Sequence, residues 1–330
     1  MELSFIDELK RKIVGKNRSI VFPEGKDHRI VTAVQMLHDE GIVVPIVLGK
    51  PEEIQAACEK ANVSLEGVKQ IDVESAEDFD DMVKEFVKIR KGKTSEEEAR
   101  QIMKDPNYYG TMMVQLAKAD GMVSGAINST AATVRPALQI IKTKPGVSKT
   151  SGLMVLIGRG GRRYIMADIA INIELNAQEL AEVAVDTGVT AKSFGVIPKV
   201  AMLSFSTNGS ASHPLQEKMA EATRIAKEMV KERGLDIEID GEMQFDAAVS
   251  RRTAELKFPD SPVAGQAKVY VFPSLEAGNI GYKIAQFFGG CEAIGPILQG
   301  LNKPINDLSR GCDYNEVYQL GIITASQVEE

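Results

Sequence analysis

Apolar and polar positions along the chain follow two alternating periods, one typical of buried strands and one typical of helices. The short apolar runs RSIVFPEG and VVPIVLG predict strands, and the segment between them, HRIVTAVQMLHDEG, has apolar residues at helical spacing. The strand-like ADGMVSGA precedes the helical TAATVRPALQII, and VAMLSFS precedes the helical PLQEKMAEATRIAKEMVKERG. This βαβ order predicts an α/β protein with a mostly parallel sheet.

The length of the chain, 330 residues, predicts two domains of ordinary size. The segment 142–152, KTKPGVSKTSG, is basic and polar, contains Pro and Gly, and is the best candidate for a linker. The glycine-rich GRGGRR at 158–163 lies between two strand-like runs. A nucleotide-binding loop leads from a strand into a helix, so we expect GRGGRR to be a turn between strands.

Composition argues against several classes of protein. The net charge of −7 does not suit a nucleic-acid-binding face. The N-terminal segment contains acidic residues and no signal-peptide run, and no apolar stretch approaches the about 20 residues that span a bilayer. The three cysteines are far apart, which argues against a disulfide framework and a zinc site. We therefore expect a cytoplasmic protein with no metal, no membrane contact and no nucleic-acid partner.

The segment SGAINSTAATVRPAL places small polar residues where a strand ends and a helix begins. Asn128, Ser129 and Thr130 occupy that junction, and Arg135 follows within two helical turns. Free N–H groups at a helix start bind anions, hydroxyls add donors, and arginine contacts phosphate with two donors at once. The segment is a candidate anion site, with ordinary N-capping and a surface arginine as the alternative.

A second polar loop, SFSTNGSAS at 204–212, follows the strand-like VAML. Open α/β sheets bind ligands at the carboxyl ends of their strands, so Ser206 in this loop is a candidate binding residue. A polar loop without a ligand is the alternative. The three histidines lie among charged or small polar residues, and a general base in this chain is therefore expected to be a carboxylate.

The stretch NDLSRGCDYNEVYQLG, residues 306–321, combines a polar loop with the start of a helix. Asp313 and Glu316 have the spacing of an N-cap and an N3 residue, which predicts a capping pair. Ser309 and Arg310 lie just before them, in a loop that contains Gly311. This loop is a candidate site for an anion and a thiol.

Six separated blocks together resemble the phosphate acetyltransferase (phosphotransacetylase) family over nearly the whole chain. The blocks are VFPEGKDHRI, SGAINSTAATVRPALQIIKTKPGVS, VAMLSFSTNGSA, DGEMQFDAA, VFPSLEAGNIGYKIAQ and GPILQGLNKPINDLSRGC. The resemblance implies two α/β/α three-layer domains with mostly parallel sheets and an interdomain cleft. The domains would comprise 1–148 with 297–330, and 149–296. It also implies reversible acetyl transfer between coenzyme A and orthophosphate, usually by a homodimer without a permanently bound cofactor.

Family roles can be carried over to matching positions. The resemblance implies that Ser309 bonds the sulfur of coenzyme A and that Arg310 binds the phosphoryl group, with Arg135 as a second phosphate-binding arginine. The implied substrate-binding residues are Arg90, Asn128, Ser129, Thr130, Cys312 and Ser206. No acyl-enzyme is required, so we expect direct transfer in a ternary complex, with Cys312 as a neighbour and not a nucleophile.

Three positions depart from the family pattern. The family usually has an aspartate seven residues after the motif serine as the expected base, and this chain has Glu316, with Asp313 as the alternative base. Asn128 and Ala132 replace a histidine and an aspartate of the frequent pattern GAxHSTADT. These changes bear on turnover rate and acyl preference. A phosphate butyryltransferase and a non-catalytic acetyl-CoA-sensing domain are the alternative functions.

Overall fold

The structure, a computed structural model, describes residues 3–329 and divides them into two compact units. The first unit comprises the described residues up to Lys144 and those from Leu301 onward, and the second is Pro145–Gly300. The domain limits implied by the resemblance, 148/149 and 296/297, lie near this division and remain a prediction.

The described chain alternates strands and helices nearly throughout. The strands are β1 Ser19–Phe22, β2 Val44–Leu48, β3 Lys69–Ile71, β4 Gly121–Ser124, β5 Ser151–Ile157, β6 Arg163–Ala167, β7 Lys199–Leu203, β8 Glu238–Met243, β9 Val269–Val271, β10 Glu292–Gln299 and β11 Ile305–Asp307. The α-helices are α1 Phe5–Ile13, α2 His28–Asp39, α3 Pro51–Ala61, α4 Phe79–Arg90, α5 Glu96–Ile102, α6 Pro106–Gln115, α7 Thr130–Ile140, α8 Ala177–Ser193, α9 Pro214–Glu232, α10 Phe245–Val249, α11 Arg251–Lys257, α12 Leu275–Phe287 and α13 Tyr314–Ser326.

The first unit contains a parallel five-stranded sheet in the order β11-β4-β1-β2-β3. Helices cover both of its faces. Consecutive residues of a strand point to opposite faces of the sheet. Val21 contacts Gly110 of α6, whereas Phe22 contacts Gly321 of α13. The sheet therefore lies between a helix layer that includes α6 and one that includes α13, which is the predicted three-layer arrangement.

The second unit contains a six-stranded sheet in the order β10-β5-β6-β9-β7-β8. Four strands, from β6 to β8, are parallel to one another, whereas β10 and β6 pair antiparallel with β5. The segment GRGGRR forms the tight connection of the β5–β6 hairpin, as its flanking apolar runs predict. The sheet is thus mixed, with antiparallel pairing at one edge.

Helices also cover both faces of the second sheet. Val200 contacts Gly188 of α8, whereas its neighbour Ala201 lies in a buried apolar cluster with Ala247 of α10 and Ala254 of α11. The prediction of an α/β protein with mostly parallel sheets is confirmed. Within residues 3–329, none of the helices is long and apolar enough to cross a lipid bilayer.

Candidate active site

Three loops of the first unit follow neighbouring parallel strands and therefore share one edge of its sheet. The loop after β1 contains Glu24, the loop after β4 leads into α7, and the loop after β11 contains Ser309. The strand order reverses between β1 and β4, since β2 and β3 lie on one side of β1 and β4 and β11 on the other. Open α/β sheets bind ligands outside the carboxyl ends of the strands at such a reversal.

The carboxylate of Glu24 occupies the turn between β4 and α7. Its Oε2 accepts hydrogen bonds from the N–H groups of Gly125 and Ala126, at 2.9 and 2.7 Å, and its Oε1 accepts from Ile127 and Asn128, at 3.1 and 2.9 Å. Glu24 is 2% exposed. These four N–H groups already donate to a side chain of the protein. A substrate anion at this junction therefore has to accept hydrogen bonds from Ser129 or from residues after it.

The start of α7 keeps its side-chain hydroxyls free of capping bonds. Ser129 has the backbone conformation of an N-cap, but its side chain makes no capping hydrogen bond. Ser129 and Thr130 are exposed, and Asn128 is half-buried. Ordinary N-capping by Ser129, the alternative considered for this segment, is therefore not what the structure shows, and both hydroxyls are accessible to a ligand.

Arg29 joins the loops that follow β4 and β11. Its Nη1 donates to the carbonyl oxygens of Arg310 and Cys312, both at 2.9 Å, and its Nη2 donates to the carbonyl oxygen of Ala126 at 2.7 Å. The Asp27 carboxylate accepts from Nε and Nη2, both at 2.9 Å, and so fixes the guanidinium. Arg29 thereby sets the position of the Ser309–Arg310 backbone relative to the α7 start.

The Ser309–Arg310 pair is exposed at the end of β11. The hydroxyl of Ser309 accepts from the N–H of Gly311 at 3.3 Å. Cys312, by contrast, is 4% exposed, and burial raises the pKa of its thiol to about 11 although Arg29 lowers it. A thiol that is buried and protonated at neutral pH is a poor nucleophile, so Cys312 suits the role of a structural neighbour.

The predicted capping pair at the start of α13 is confirmed. The Asp313 Oδ1 accepts from the N–H of Glu316 at 2.9 Å, and the Glu316 Oε2 accepts from the N–H of Asp313 at 2.8 Å. The pKa of Glu316 is raised, chiefly because surrounding protein partly removes its carboxylate from water and also because of the charge of Asp313. The hydrogen bond from the Asp313 N–H lowers it. Both carboxylates are exposed and sit four to seven residues beyond Ser309.

A third carboxylate, Asp307, lies beneath the Ser309–Arg310 loop. Asp307 is 1% exposed, and its Oδ1 has no hydrogen-bond partner among the described residues. Burial raises the pKa of Asp307 to about 6, the hydroxyls of Thr130 and Thr133 lower it, and the charge of Glu24 raises it. The carboxylate is therefore ionised at neutral pH despite its burial.

Arg90 and Arg135 line one open cavity of about 590 Å³ in the first unit. Arg135 lies five residues beyond Thr130 on α7, about 7.5 Å along the helix axis. The Nε of Arg90 is buried and has no hydrogen-bond partner among residues 3–329. The other lining residues are Thr94, Gln101, Ile102, Asp105, Tyr108 and Gln139. Two guanidinium groups in one cavity suit an anionic ligand.

Ser206 belongs to the second unit and is fully buried. Its hydroxyl donates to Glu242 Oε1 at 3.0 Å and accepts from the N–H of Ala211 at 3.1 Å. These bonds give Ser206 a structural role within its loop, and its predicted contact with substrate stays untested. Among residues 3–329, no group of three or more His, Cys, Asp or Glu side chains could hold a metal ion.

The loop edge thus collects Asn128, Ser129, Thr130, Ser309 and Arg310. Arg135 lies further along α7 and shares a cavity with Arg90, the last residue of α4. Sequence reasoning did not single out Glu24, Arg29 and Asp307. The first two stand in the block VFPEGKDHRI and the third in NDLSRGC, so the resemblance itself pointed to these segments. Their individual roles depend on contacts between residues far apart in the chain, which spacing does not reveal.

Comparisons with known proteins show the family and the fold of the chain. Residues 4–325 match the family model described as "Phosphate acetyl/butaryl transferase". A phosphate acetyltransferase of Bacillus subtilis (strain 168) is 55% identical over 319 residues, which cover 97% of each chain. The crystal structure of a phosphotransacetylase from Streptococcus pyogenes is 53% identical, with a TM-score of 0.94 and 99% of each chain covered.

A branched-chain phosphotransacylase from Enterococcus faecalis V583 shares the fold at 18% identity, with a TM-score of 0.66 over 94% of this chain and 100% of that one. The family resemblance drawn from the six sequence blocks is confirmed by the family model and by relatives that match nearly end to end. The chain belongs to the phosphate acetyl/butaryl transferase family.

Proposed function

We propose that this chain is a phosphate acetyltransferase, which transfers an acetyl group reversibly between coenzyme A and orthophosphate. The observation that carries the proposal is the exposed Ser309–Arg310 pair, whose backbone Arg29 ties to the loop that leads to the exposed Ser129 and Thr130. This arrangement offers a hydroxyl to a thiol and a guanidinium to a phosphoryl group. Relatives that are 52–55% identical carry the name of this activity.

Ser309 and Arg310 would act on the two reacting ends of the substrates. The Ser309 hydroxyl bonds the sulfur of coenzyme A, and Arg310 neutralises the phosphoryl group as negative charge develops on it. Fixed donors aimed at developing charge are worth about 10²–10³ in kcat for each donor removed. Ser129 and Thr130 complete the phosphoryl site with their hydroxyls, and Asn128 lies beside them.

The cavity with Arg90 and Arg135 would bind a phosphate group of the substrates, with Arg135 as the second phosphate-binding arginine. Its volume of about 590 Å³ lies in the range typical of small-molecule sites. The unpartnered Nε of Arg90 supports this role, because a buried donor gains most from a charged acceptor.

We propose Glu316 as the base that takes the thiol proton, with Asp313 as the alternative. A free alkyl thiol has a pKa of about 8.5, so little thiolate forms at neutral pH without help. The raised pKa of Glu316 makes its carboxylate a better proton acceptor. The thiolate then attacks the acetyl carbonyl directly, and the high pKa of Cys312 argues against an acyl-enzyme on that residue.

The preference for acetyl or butyryl substrates distinguishes a phosphate acetyltransferase from the alternative functions. The test is release of coenzyme A from acetyl-CoA and from butyryl-CoA after phosphate is added. The proposal predicts turnover that strongly favours acetyl-CoA. Preference for butyryl-CoA would show a phosphate butyryltransferase and would mean that Asn128 and Ala132 reshape the acyl site. Binding of acetyl-CoA without release would show a non-catalytic sensor.

We further propose that the chain works as a homodimer in the cytoplasm, on small-molecule substrates. Support for the dimer comes from α12, which presents Ile280, Ile284, Phe287 and the adjoining Phe288 to solvent. The spacing i, i+4, i+7, i+8 forms one apolar stripe, and exposed stripes of this kind mark protein interfaces. Three free cysteines suit a reducing compartment.

A further inference from the structure

Arg29, the second residue of α2, uses its whole guanidinium group for contacts within the protein. Two of its N–H groups donate to the carbonyl oxygens of Arg310 and Cys312, and a third donates to that of Ala126. The N–H groups on Nε and Nη2 donate to the two carboxylate oxygens of Asp27. A guanidinium has five donors in one plane, and these contacts use all of them. Arg29 therefore has no donor left for a substrate and can act only through the residues that it holds.

Asp27 fixes the direction of that guanidinium. It is the N-cap of α2, where its Oδ1 accepts from the backbone N–H of Arg29 at 2.8 Å and from Nε at 2.9 Å. Its Oδ2 accepts from Nη2 at 2.9 Å. One carboxylate thus closes the helix start and orients the side chain that follows it. The donors that reach the two loops are therefore in place before any substrate binds.

The two loops are attached to the sheet without help from Arg29. Strands β4 and β11 pair with each other up to Ser124 and Asp307, and the N–H of Leu308 donates to the carbonyl oxygen of Ser124 at 2.7 Å. Beyond these residues the strands end and the loops are free to separate. The bonds from Arg29 join the loops beyond that point, so they fix the distance between the loop that contains Arg310 and the loop that leads to α7. Such a fixed distance matters to a ligand that contacts both loops.

The contacts of Arg29 require a guanidinium and not merely a positive charge. Lysine has three donors on a single nitrogen, whereas the donors of arginine are spread over three nitrogens in a rigid plane. The acceptors lie on Asp27 and on two different loops. A lysine at position 29 could therefore not hold both loops and Asp27 at the same time.

We propose that Arg29, held by Asp27, is a positioning residue for acetyl transfer, which keeps Arg310 and the start of α7 at the distance where both contact the same phosphoryl group. This inference rests on the proposed function and adds a residue that acts through Arg310. A shift of about 1 Å in a reacting or charge-stabilising group can cost about 10²-fold in rate. Loss of the bonds from Arg29 frees the loops to make such a shift.

The test measures release of coenzyme A from acetyl-CoA and phosphate by Arg29→Ala. We expect kcat to fall about 10²-fold. The KM of phosphate should rise about ten-fold, the effect of losing one charge-assisted hydrogen bond. The KM of acetyl-CoA should change by less than about two-fold, because Arg29 holds the groups that contact phosphate. A smaller folded fraction would lower the apparent kcat and leave both KM values unchanged, so the KM of phosphate separates positioning from a loss of stability.

Chemical rescue gives a second readout. The side chain of Arg29 is 19% exposed, so a small cation can enter the space that Arg29→Ala leaves. Guanidinium ion, at concentrations well below those that unfold the protein, should restore part of kcat. Methylammonium at the same ionic strength should not, because its donors lie on one nitrogen. Arg29→Lys should show the same defect as Arg29→Ala.

Arg224→Ala provides a matched control. Arg224 lies on α9 of the second unit, and its guanidinium donates to the carboxylates of Glu221 and Glu228. Its removal also breaks charged hydrogen bonds, but these join residues of one helix. We expect wild-type kinetic constants for this variant and no effect of guanidinium ion on them.

Wild-type kcat and phosphate KM in Arg29→Lys would overturn the inference, as would an unchanged phosphate KM in folded Arg29→Ala. If neither variant folds, Asp27→Asn decides, because asparagine still serves as an N-cap. It should lower kcat and raise the phosphate KM, and wild-type values would overturn the inference. A wild-type protein without turnover would instead contradict the proposed function. Calorimetric titration of the same variants with phosphate would then test whether Arg29 positions the phosphate site.

Discussion

The two buried carboxylates at this sheet edge, Glu24 and Asp307, differ in how many hydrogen bonds they accept. Glu24 accepts four backbone N–H groups, whereas Asp307 has one oxygen without a partner. Burial raises the pKa of Asp307, whose oxygen lacks such donors. Glu24 therefore fixes the backbone of the loop before α7, whereas Asp307 keeps one carboxylate oxygen without a hydrogen bond at the end of β11.

Replacing Glu24 should damage both stability and activity. In Glu24→Gln one amide oxygen remains, but the amide N–H₂ group would face backbone N–H donors and leave them unsatisfied. We expect the free energy of unfolding to fall by about 3 kcal/mol, as for other buried groups that lose charged hydrogen bonds. Chemical denaturation measures this loss, and acetyl-CoA turnover should fall with it because the start of α7 shifts.

Glu98→Gln is the matched control for that experiment. Glu98 is exposed and caps α5, and glutamine serves the same capping position. Its unfolding free energy should change by less than about 0.5 kcal/mol. Equal stabilities of Glu24→Gln and Glu98→Gln would contradict the role assigned to Glu24.

Two helices, α7 and α13, begin at the candidate site with different terminal chemistry. The start of α13 is closed by the reciprocal bonds of Asp313 and Glu316, whereas Ser129 leaves the start of α7 without a side-chain cap. Capping bonds occupy donors that a ligand could otherwise use. Since its first residue makes no side-chain cap, α7 is the helix suited to bind phosphate at its N-terminus.

The capping pair allows the proposed base to be tested without loss of the helix start. Glutamine at N3 still completes a capping box, so Glu316→Gln should leave the melting temperature nearly unchanged while removing the carboxylate. We expect kcat to fall by about 10²-fold, the usual contribution of a general base. A loss of only a few-fold with a normal pH profile would exclude Glu316, and Asp313→Asn would then test the alternative.

Sequence patterns predicted α7, α13 and the capping pair because these depend on residues a few positions apart. The environment of Glu24 could not be predicted in this way, since its four donors lie about one hundred residues further along the chain. The antiparallel pairing of β10 with β5 was not predicted for a similar reason, because β10 returns to β5 from a distant part of the chain. Family resemblance supplied roles for Ser309 and Arg310 that local chemistry left open.

At the scale of the whole molecule, the apolar stripe on α12 distinguishes the second unit. Phe287 and Phe288 are 78% and 90% exposed, and Ile280 and Ile284 extend the same stripe. A monomer gains nothing from large apolar side chains in water, whereas a second copy can bury them. The stripe therefore favours assembly of two chains through α12.

Substitution on the stripe should separate the two copies. We expect the wild type to sediment as a dimer and the double variant Phe287→Ser, Phe288→Ser to sediment as a monomer, because the variant loses most of the apolar area that association would bury. Val14→Ser, which changes an exposed apolar residue at the end of α1, should remain dimeric. A double variant that remains dimeric would place the interface elsewhere.

The most direct test of the central claim measures acetyl-CoA formation from acetyl phosphate and coenzyme A in Ser309→Ala. The matched control is Ser326→Ala, which changes a serine whose hydroxyl bonds within the last turn of α13. We expect Ser309→Ala to lower kcat by about 10²-fold or more, with an unchanged melting temperature, and Ser326→Ala to match the wild type. Wild-type turnover in Ser309→Ala would contradict the assignment of this loop as the site of acetyl transfer.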